Sequence, residues 1–139
     1  MIKFVLGILC ALPFAAMGNP TDITPLKDAH FVQDEDVKCL KNALANGNPD
    51  TGPSMFLLKA PAGCHVVAHY HTAEEVLIVI RGKVWTEMKG MPGSMLTAGG
   101  IAVMPAKAIH WFSCSGKEPC LMLVTFNQKY DIVWTDPVT

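Results

Sequence analysis

The sequence predicts an all-β fold, a small barrel or sandwich, preceded by an export signal. Three observations predict it. Short β-rich runs separated by Gly and Pro fill most of the chain. No helix-length amphipathic segment appears after the first 18 residues. The N-terminus has the positive, apolar and small-residue order of an exported precursor.

That leader comes first in the chain. Lys3 supplies the positive region, and residues 4–16 (FVLGILCALPFAA) are apolar. Ala16-Met17-Gly18 puts small residues where a signal peptidase inspects them, so cleavage before Asn19 is expected. The run is shorter than the ~20 residues of a membrane span. A membrane-anchoring or buried helix is the alternative reading. Cys10 follows Leu9 rather than a small residue, which argues against a lipoprotein. Residues 1–18 are thus read as a signal peptide, and the protein as periplasmic or secreted with no membrane attachment after cleavage.

Residues 19–36 are mixed and acidic, an N-terminal arm that is either an edge strand or an ordered extension. Residues 37–139 form the barrel domain. Strands are expected at 55–59, 65–70, 76–80, 83–88, 101–104, 110–114 and 121–126. Pro61-Ala62-Gly63, Arg81-Gly82, Gly90-Met91-Pro92-Gly93, Gly99-Gly100 and Pro105 punctuate them. Residues 46–53 (NGNPDTGP) are a loop by composition. No repeat or low-complexity tract is present.

Charge narrows the functional classes. The precursor has 11 basic and 12 acidic residues, and losing Lys3 leaves a net charge of −2. A nucleic-acid surface wants a basic face, so nucleic acid is not an expected partner. Arg81 is the single arginine, which leaves no Arg cluster for phosphate. Five cysteines fall to four on removal of Cys10. In an oxidising compartment Cys39, Cys64, Cys114 and Cys120 permit disulfides in three connectivities. Cys114 and Cys120 flank a turn-like stretch and are candidates to face each other across a hairpin, which would leave Cys39 with Cys64. Four separate buried thiols remain the alternative.

The chemistry lies in His69-Tyr70-His71, Glu75 and His110. Imidazole and carboxylate suit divalent transition metals. Residues two apart in a strand share a face, so His69 and His71 point together. A tight bend at Thr72-Ala73 would return Glu75 to the pair, and His110 would come from a separate hairpin. Three nitrogens and one carboxylate leave two open positions on an octahedral ion, for substrate or oxygen.

These residues resemble the motifs of the cupin superfamily. The first motif reads Gly63, five residues, His69-Tyr70-His71, three residues, Glu75, six residues and Gly82, with every fixed position filled. The second reads Gly99, five residues, Pro105, Ala106, Lys107, two residues, His110, three residues and Cys114. Lys107 replaces the family's Gly and Cys114 its Asn. The tail Tyr130-Asp131-Ile132-Val133 is similar to the close of small, often exported, single-domain members. The resemblance implies a jelly-roll β-barrel holding one divalent metal on His69, His71, Glu75 and His110. It favours Glu75 over Glu74 as the carboxylate, and implies a homodimer as the default assembly.

Beyond the ligands, His65 shares parity with His69 and His71. It is a candidate to orient a ligand or act as a base, or else a structural histidine. Cys114 has the parity of His110, but a disulfide or plain burial is the simpler reading. Thiol dioxygenases of the family usually lack the Glu, which argues further against thiol oxidation. His30 lies outside every motif. Phe56, Trp85, Trp111, Phe126 and the methionines are core or the wall of an apolar pocket. With few cations except Lys59, Lys83 and Lys107, that pocket suits a small organic compound better than a phosphosugar. The expected function is an oxygenase-type oxidoreductase on a small organic substrate. Iron or manganese is favoured, and zinc, nickel and copper are compatible. The alternative is an exported module that binds a metal or a small ligand without turnover. Isomerase or lyase chemistry has less support, since only Glu75 and His65 offer a base.

Overall fold

The structure, a computed structural model, describes residues 23–135. The expected signal peptide and Cys10 lie outside the described residues. Among the described residues no helix is long and apolar enough to cross a membrane.

A single 3₁₀ turn, Leu26–Asp28, precedes the strands β1 (Val32–Gln33), β2 (Lys41–Gly47), β3 (Ser54–Ala60), β4 (His65–Tyr70), β5 (Glu75–Arg81), β6 (Lys83–Met88), β7 (Ser94–Leu96), β8 (Ile101–Met104), β9 (His110–Ser115), β10 (Cys120–Phe126) and β11 (Val133–Trp134). Each of the seven expected strands is present, shifted at its ends by at most one residue. Alternating apolar residues dictate them. In β5, Leu77 and Val79 are buried while Val76, Ile78 and Ile80 are not. The arm contributes β1, an edge strand antiparallel to β2.

The strands form a six-stranded sheet, β1-β2-β3-β10-β5-β8, and a five-stranded sheet, β11-β4-β9-β6-β7. The expected closed barrel is not what forms. No ladder joins the two sheets, which share one core of Leu77, Val79, Met122 and Val124 from the first and Val66, Val84, Phe112 and Cys114 from the second. The chain changes sheet repeatedly, including at the Cys114–Cys120 stretch that was expected to be a hairpin. β4 and β5 lie in different sheets, as do β5 and β6, β8 and β9, and β9 and β10. Gly82, at φ 90°, is the one residue between β5 and β6.

Two disulfides stitch the fold. Cys39 bonds Cys64, with Cα atoms 5.7 Å apart, and Cys114 bonds Cys120, at 5.8 Å. The second does not span a hairpin ladder, because β9 and β10 belong to different sheets. It is a covalent link between the sheets. Both bridges lie toward one end of the strands. Cys64 precedes β4, whose other end carries His69. Cys120 opens β10, whose last residue, Phe126, is the register partner of Glu75.

Candidate metal centre

Four strand ends build the site. His69 lies near the end of β4, His71 just beyond it, Glu75 opens β5 and His110 opens β9. All four are buried, His110 to 2% exposure, and their ligand atoms lie within 4.8 Å of one another. His110 comes from a different strand, β9. It is the register partner of His69 across the β4–β9 ladder.

A bulge aims His69 inward. Between the pairs Val66↔Phe112 and His69↔His110, β4 advances three residues and β9 two. The extra residue resets the alternation, so Val66, Ala68, His69 and His71 are all buried while His65 and Val67 stay exposed. His65 therefore does not share the face of the ligands. It lies on the outer surface with Nδ1 2.7 Å from Ser113 Oγ, and takes no part in the site. Nor does Cys114, which is buried in its disulfide. Glu74 is half-buried and outside the cluster, its backbone N–H bonded to Asn127 Oδ1 at 3.0 Å.

Each histidine ring is anchored the same way. Nδ1 of His69 donates to the Val67 carbonyl at 2.7 Å, Nδ1 of His110 to the Ala108 carbonyl at 2.9 Å, and Nδ1 of His71 to the Asp131 carbonyl. A carbonyl accepts only, so the Nδ1 proton is fixed and a neutral ring presents the bare Nε2 lone pair to the centre. Nε2 of His71 and of His110 then stand 3.0 and 3.1 Å from the same oxygen, Glu75 Oε2. Lone pairs at that distance repel unless a positive charge lies among them. Protons or a metal ion must supply it, and three nitrogens plus a carboxylate are the donor set of a divalent transition metal. The residues fit such an ion.

Electrostatics agree. Burial, reinforced by His110, lowers the pKa of His69 to about 4, which keeps that ring neutral. Burial opposes ionisation of Glu75, but hydrogen bonds from His110 and His71 outweigh it and hold the carboxyl at about 2. Burial also pulls His71 downward, yet the Glu75 contact and the Asp131 carbonyl reverse the sign and raise it. The cluster holds one carboxylate anion ready for a cation.

A cavity of about 210 Å³ reaches His69, His71 and Glu75, with Phe56, Phe126 and Tyr130 among its walls. Tyr130 packs against His71 at 5.5 Å and Phe126 at 5.0 Å, and its hydroxyl stands 3.5 Å from Asp36 Oδ2. Burial and the nearby carboxylates push its phenol pKa upward, so it stays protonated. Two contributions of the tail were not legible as site chemistry. The Asp131 carboxylate accepts from Thr72 N at 2.7 Å and Thr72 Oγ1 at 2.8 Å, and Trp134 packs on His69 at 5.5 Å. Their only sequence cue was the likeness of the tail to small exported members of the family.

The fold has many likenesses among solved structures. A cupin-like protein from Thermotoga maritima MSB8 superposes with a TM-score of 0.62 at 21% identity, over 72% of this chain and 78% of that one. The polyketide cyclase RemF from Streptomyces resistomycificus gives 0.71 at 13% identity, over 86% and 88%. The DMSP lyase DddQ from Ruegeria pomeroyi DSS-3 gives 0.67 at 19% identity, over 80% of this chain and 63% of that one. At these identities the likeness is one of fold. No curated protein matches the sequence. The Cupin domain family matches residues 56–126, a span that holds both histidine motifs and all four clustered residues, and the chain belongs to that family.

Proposed function

We propose that this protein is an exported metal-dependent enzyme of the oxygenase type, acting on a small organic molecule. One observation carries the reading. Three histidine rings, each turned by an Nδ1–carbonyl bond, converge with Glu75 beside a cavity that reaches the cluster. His69, His71, Glu75 and His110 would hold the ion. Iron or manganese there would supply redox and Lewis-acid chemistry, and zinc, nickel and copper also suit the donors. The walls of the cavity shed water and orient the substrate. A metal store needs only a closed, saturated site, so the cavity weighs against a pure metal-binding module.

Tyr130 favours a second reading, a lyase or isomerase without redox chemistry. Its protonated hydroxyl lies at the cavity, where it can donate a hydrogen bond to a substrate oxygen. The solved structures similar in fold include proteins named as a lyase and a cyclase.

Elemental analysis of the mature protein, purified from its native compartment without chelator or polyhistidine tag, tests the first reading. The expected result is near-stoichiometric iron or manganese, followed by substrate-dependent oxygen uptake. Zinc, or no metal with the four side chains intact, would overturn it. Turnover of a substrate without oxygen would transfer the case to Tyr130.

A further inference from the structure

Resting on the reading that this cavity takes the substrate, we infer that the substrate carries a positively charged group, seated against Asp36 and Glu35 and the rings of Phe56, Phe126 and Tyr130. The cavity is lined by Asp34, Glu35 and Asp36 from the arm and by no lysine or arginine. Its body is apolar, so charge enters from the arm and from the metal cluster alone.

The loop of the arm is braced by Asp34 and Gln33, which leaves Glu35 and Asp36 exposed at the rim of the cavity. Asp34 Oδ1 accepts from the backbone N–H groups of Asp36 at 3.0 Å and Val37 at 2.7 Å, and Asp34 Oδ2 accepts from Asn42 at 2.8 Å. Gln33 Nε2 donates to the Lys38 and Leu40 carbonyls at 2.9 and 2.6 Å. Cys39, bonded to Cys64, ties the loop to β4. Asp34 is thus used by the loop itself, whereas Asp36 and Glu35 are not.

Neither of those two has a cationic partner. Among the described residues the Asp36 carboxylate meets the neutral Tyr130 hydroxyl. Lys38 turns its Nζ to the Glu35 carbonyl at 2.8 Å, not to its carboxylate, and does not line the cavity. Among the described residues the only ion pair made by a lysine or arginine is Lys27–Asp28. Next to this negative rim, the rings of Phe56, Phe126 and Tyr130 stand 5.0–6.4 Å apart, centre to centre. Aromatic faces attract an organic cation. Carboxylates beside aromatic rings, with no competing cation, select a cationic head on an apolar body and reject anions.

Three probes of one shape test this on the metal-free protein, where no ion draws a carboxylate: benzylammonium, benzyl alcohol and benzoate, by titration calorimetry at low salt. The expected order has benzylammonium about tenfold tighter than the alcohol and benzoate weakest. Glu35→Gln with Asp36→Asn should remove the preference and leave the alcohol unchanged. Asp36→Asn alone, with its circular dichroism checked, serves if the double variant folds poorly. Equal binding of the three, binding of none, or a preference that survives the substitutions would overturn the inference. So would variants that slow only metal uptake, since the rim would then serve ion entry. Metal content is read separately. Zinc in the native protein would sink the oxygenase reading and leave the charge preference standing.

Discussion

Asp131 holds His71 from two sides: its backbone carbonyl accepts the Nδ1 proton of His71, and its carboxylate grips Thr72, the next residue along. The partners are 60 residues apart in sequence. β11 completes the clamp by pairing Val133 with Tyr70 and Trp134 with His69. The tail thereby orients two of the four clustered histidine and carboxylate side chains.

Asp131→Ala tests that clamp. It removes two hydrogen bonds to Thr72 but leaves the carbonyl, so His71 loses definition rather than its partner. Metal affinity should fall by about 10- to 100-fold, as for other groups that orient a ligand. Stability of the metal-free protein should fall by about 1–2 kcal/mol. Competition with a calibrated chelator and urea unfolding measure the two effects. Unchanged affinity would mean that β11 alone places the carbonyl.

Glu75 and Glu74 are neighbours in sequence with different surroundings. Glu75 is buried with one oxygen shared by His71 and His110, while Glu74 is half-buried and outside the cluster. Glu75→Gln removes the only anion among the four and should weaken metal binding by at least ~100-fold, given the several kcal/mol at stake in a buried charge contact. Glu74→Gln should change it by less than about twofold. Equal effects would assign the wrong carboxylate.

Stability of the metal-free protein should depend on pH with a definite sign. His69 has its pKa lowered from 6.5 to about 4 by burial. Between those values the unfolded chain binds a proton that the folded one refuses, so stability is present above 6.5 and lost as pH falls toward 4. Glu75, lowered from 4.5 to about 2, adds a further loss below 4.5. His71 has the opposite sign, because its raised pKa adds stability below 6.5 that is lost as pH rises through the folded value. The His69 contribution is on the order of 3 kcal/mol across its window. Urea titrations from pH 7.5 to 4 should show the fall, and His69→Asn should flatten it between 6.5 and 4.5. An unchanged slope in that variant would place the proton uptake elsewhere.

Much of this site was legible because its sequence cues are local. His69-Tyr70-His71 closes β4 as a compact motif, and Gly63, Gly82, Gly99 and Pro105 mark the bends around it. What was not legible depends on partners. The bulge that turns His69 inward and leaves His65 outside exists only against β9. The strand β2, with the sequence Lys-Asn-Ala-Leu-Ala-Asn-Gly, has weak β propensity and forms because β1 and β3 flank it. Sheet membership was equally hidden. Gly82 shows in the sequence only as a break, yet it carries the chain from one sheet to the other.

Lys107 and Gly82 both stand at positive φ, one without glycine's freedom and one with it. Lys107 occupies the position of the family's Gly and is the only non-glycine described at positive φ, 66°. Its N–H nonetheless donates to the His71 carbonyl at 2.8 Å, so the turn before His110 keeps its form at the cost of strain. A left-handed lysine costs roughly 1–2 kcal/mol, and a glycine loses about 0.5–1 kcal/mol in chain entropy. Lys107→Gly should therefore stabilise the protein by about half a kcal/mol and leave metal affinity unchanged. Gly82→Ala should do the reverse. A Cβ there would lie 2.9 Å from Cys120 Cα and 3.0 Å from the Pro119 carbonyl, both backbone, and φ is already 90°. Neither neighbour can yield without moving the start of β10 and the disulfide of Cys120. A loss of about 2–3 kcal/mol is expected. Urea unfolding of both variants with the disulfides intact reads the pair, and a neutral Gly82→Ala would show that the crossing between the sheets is looser than these contacts require.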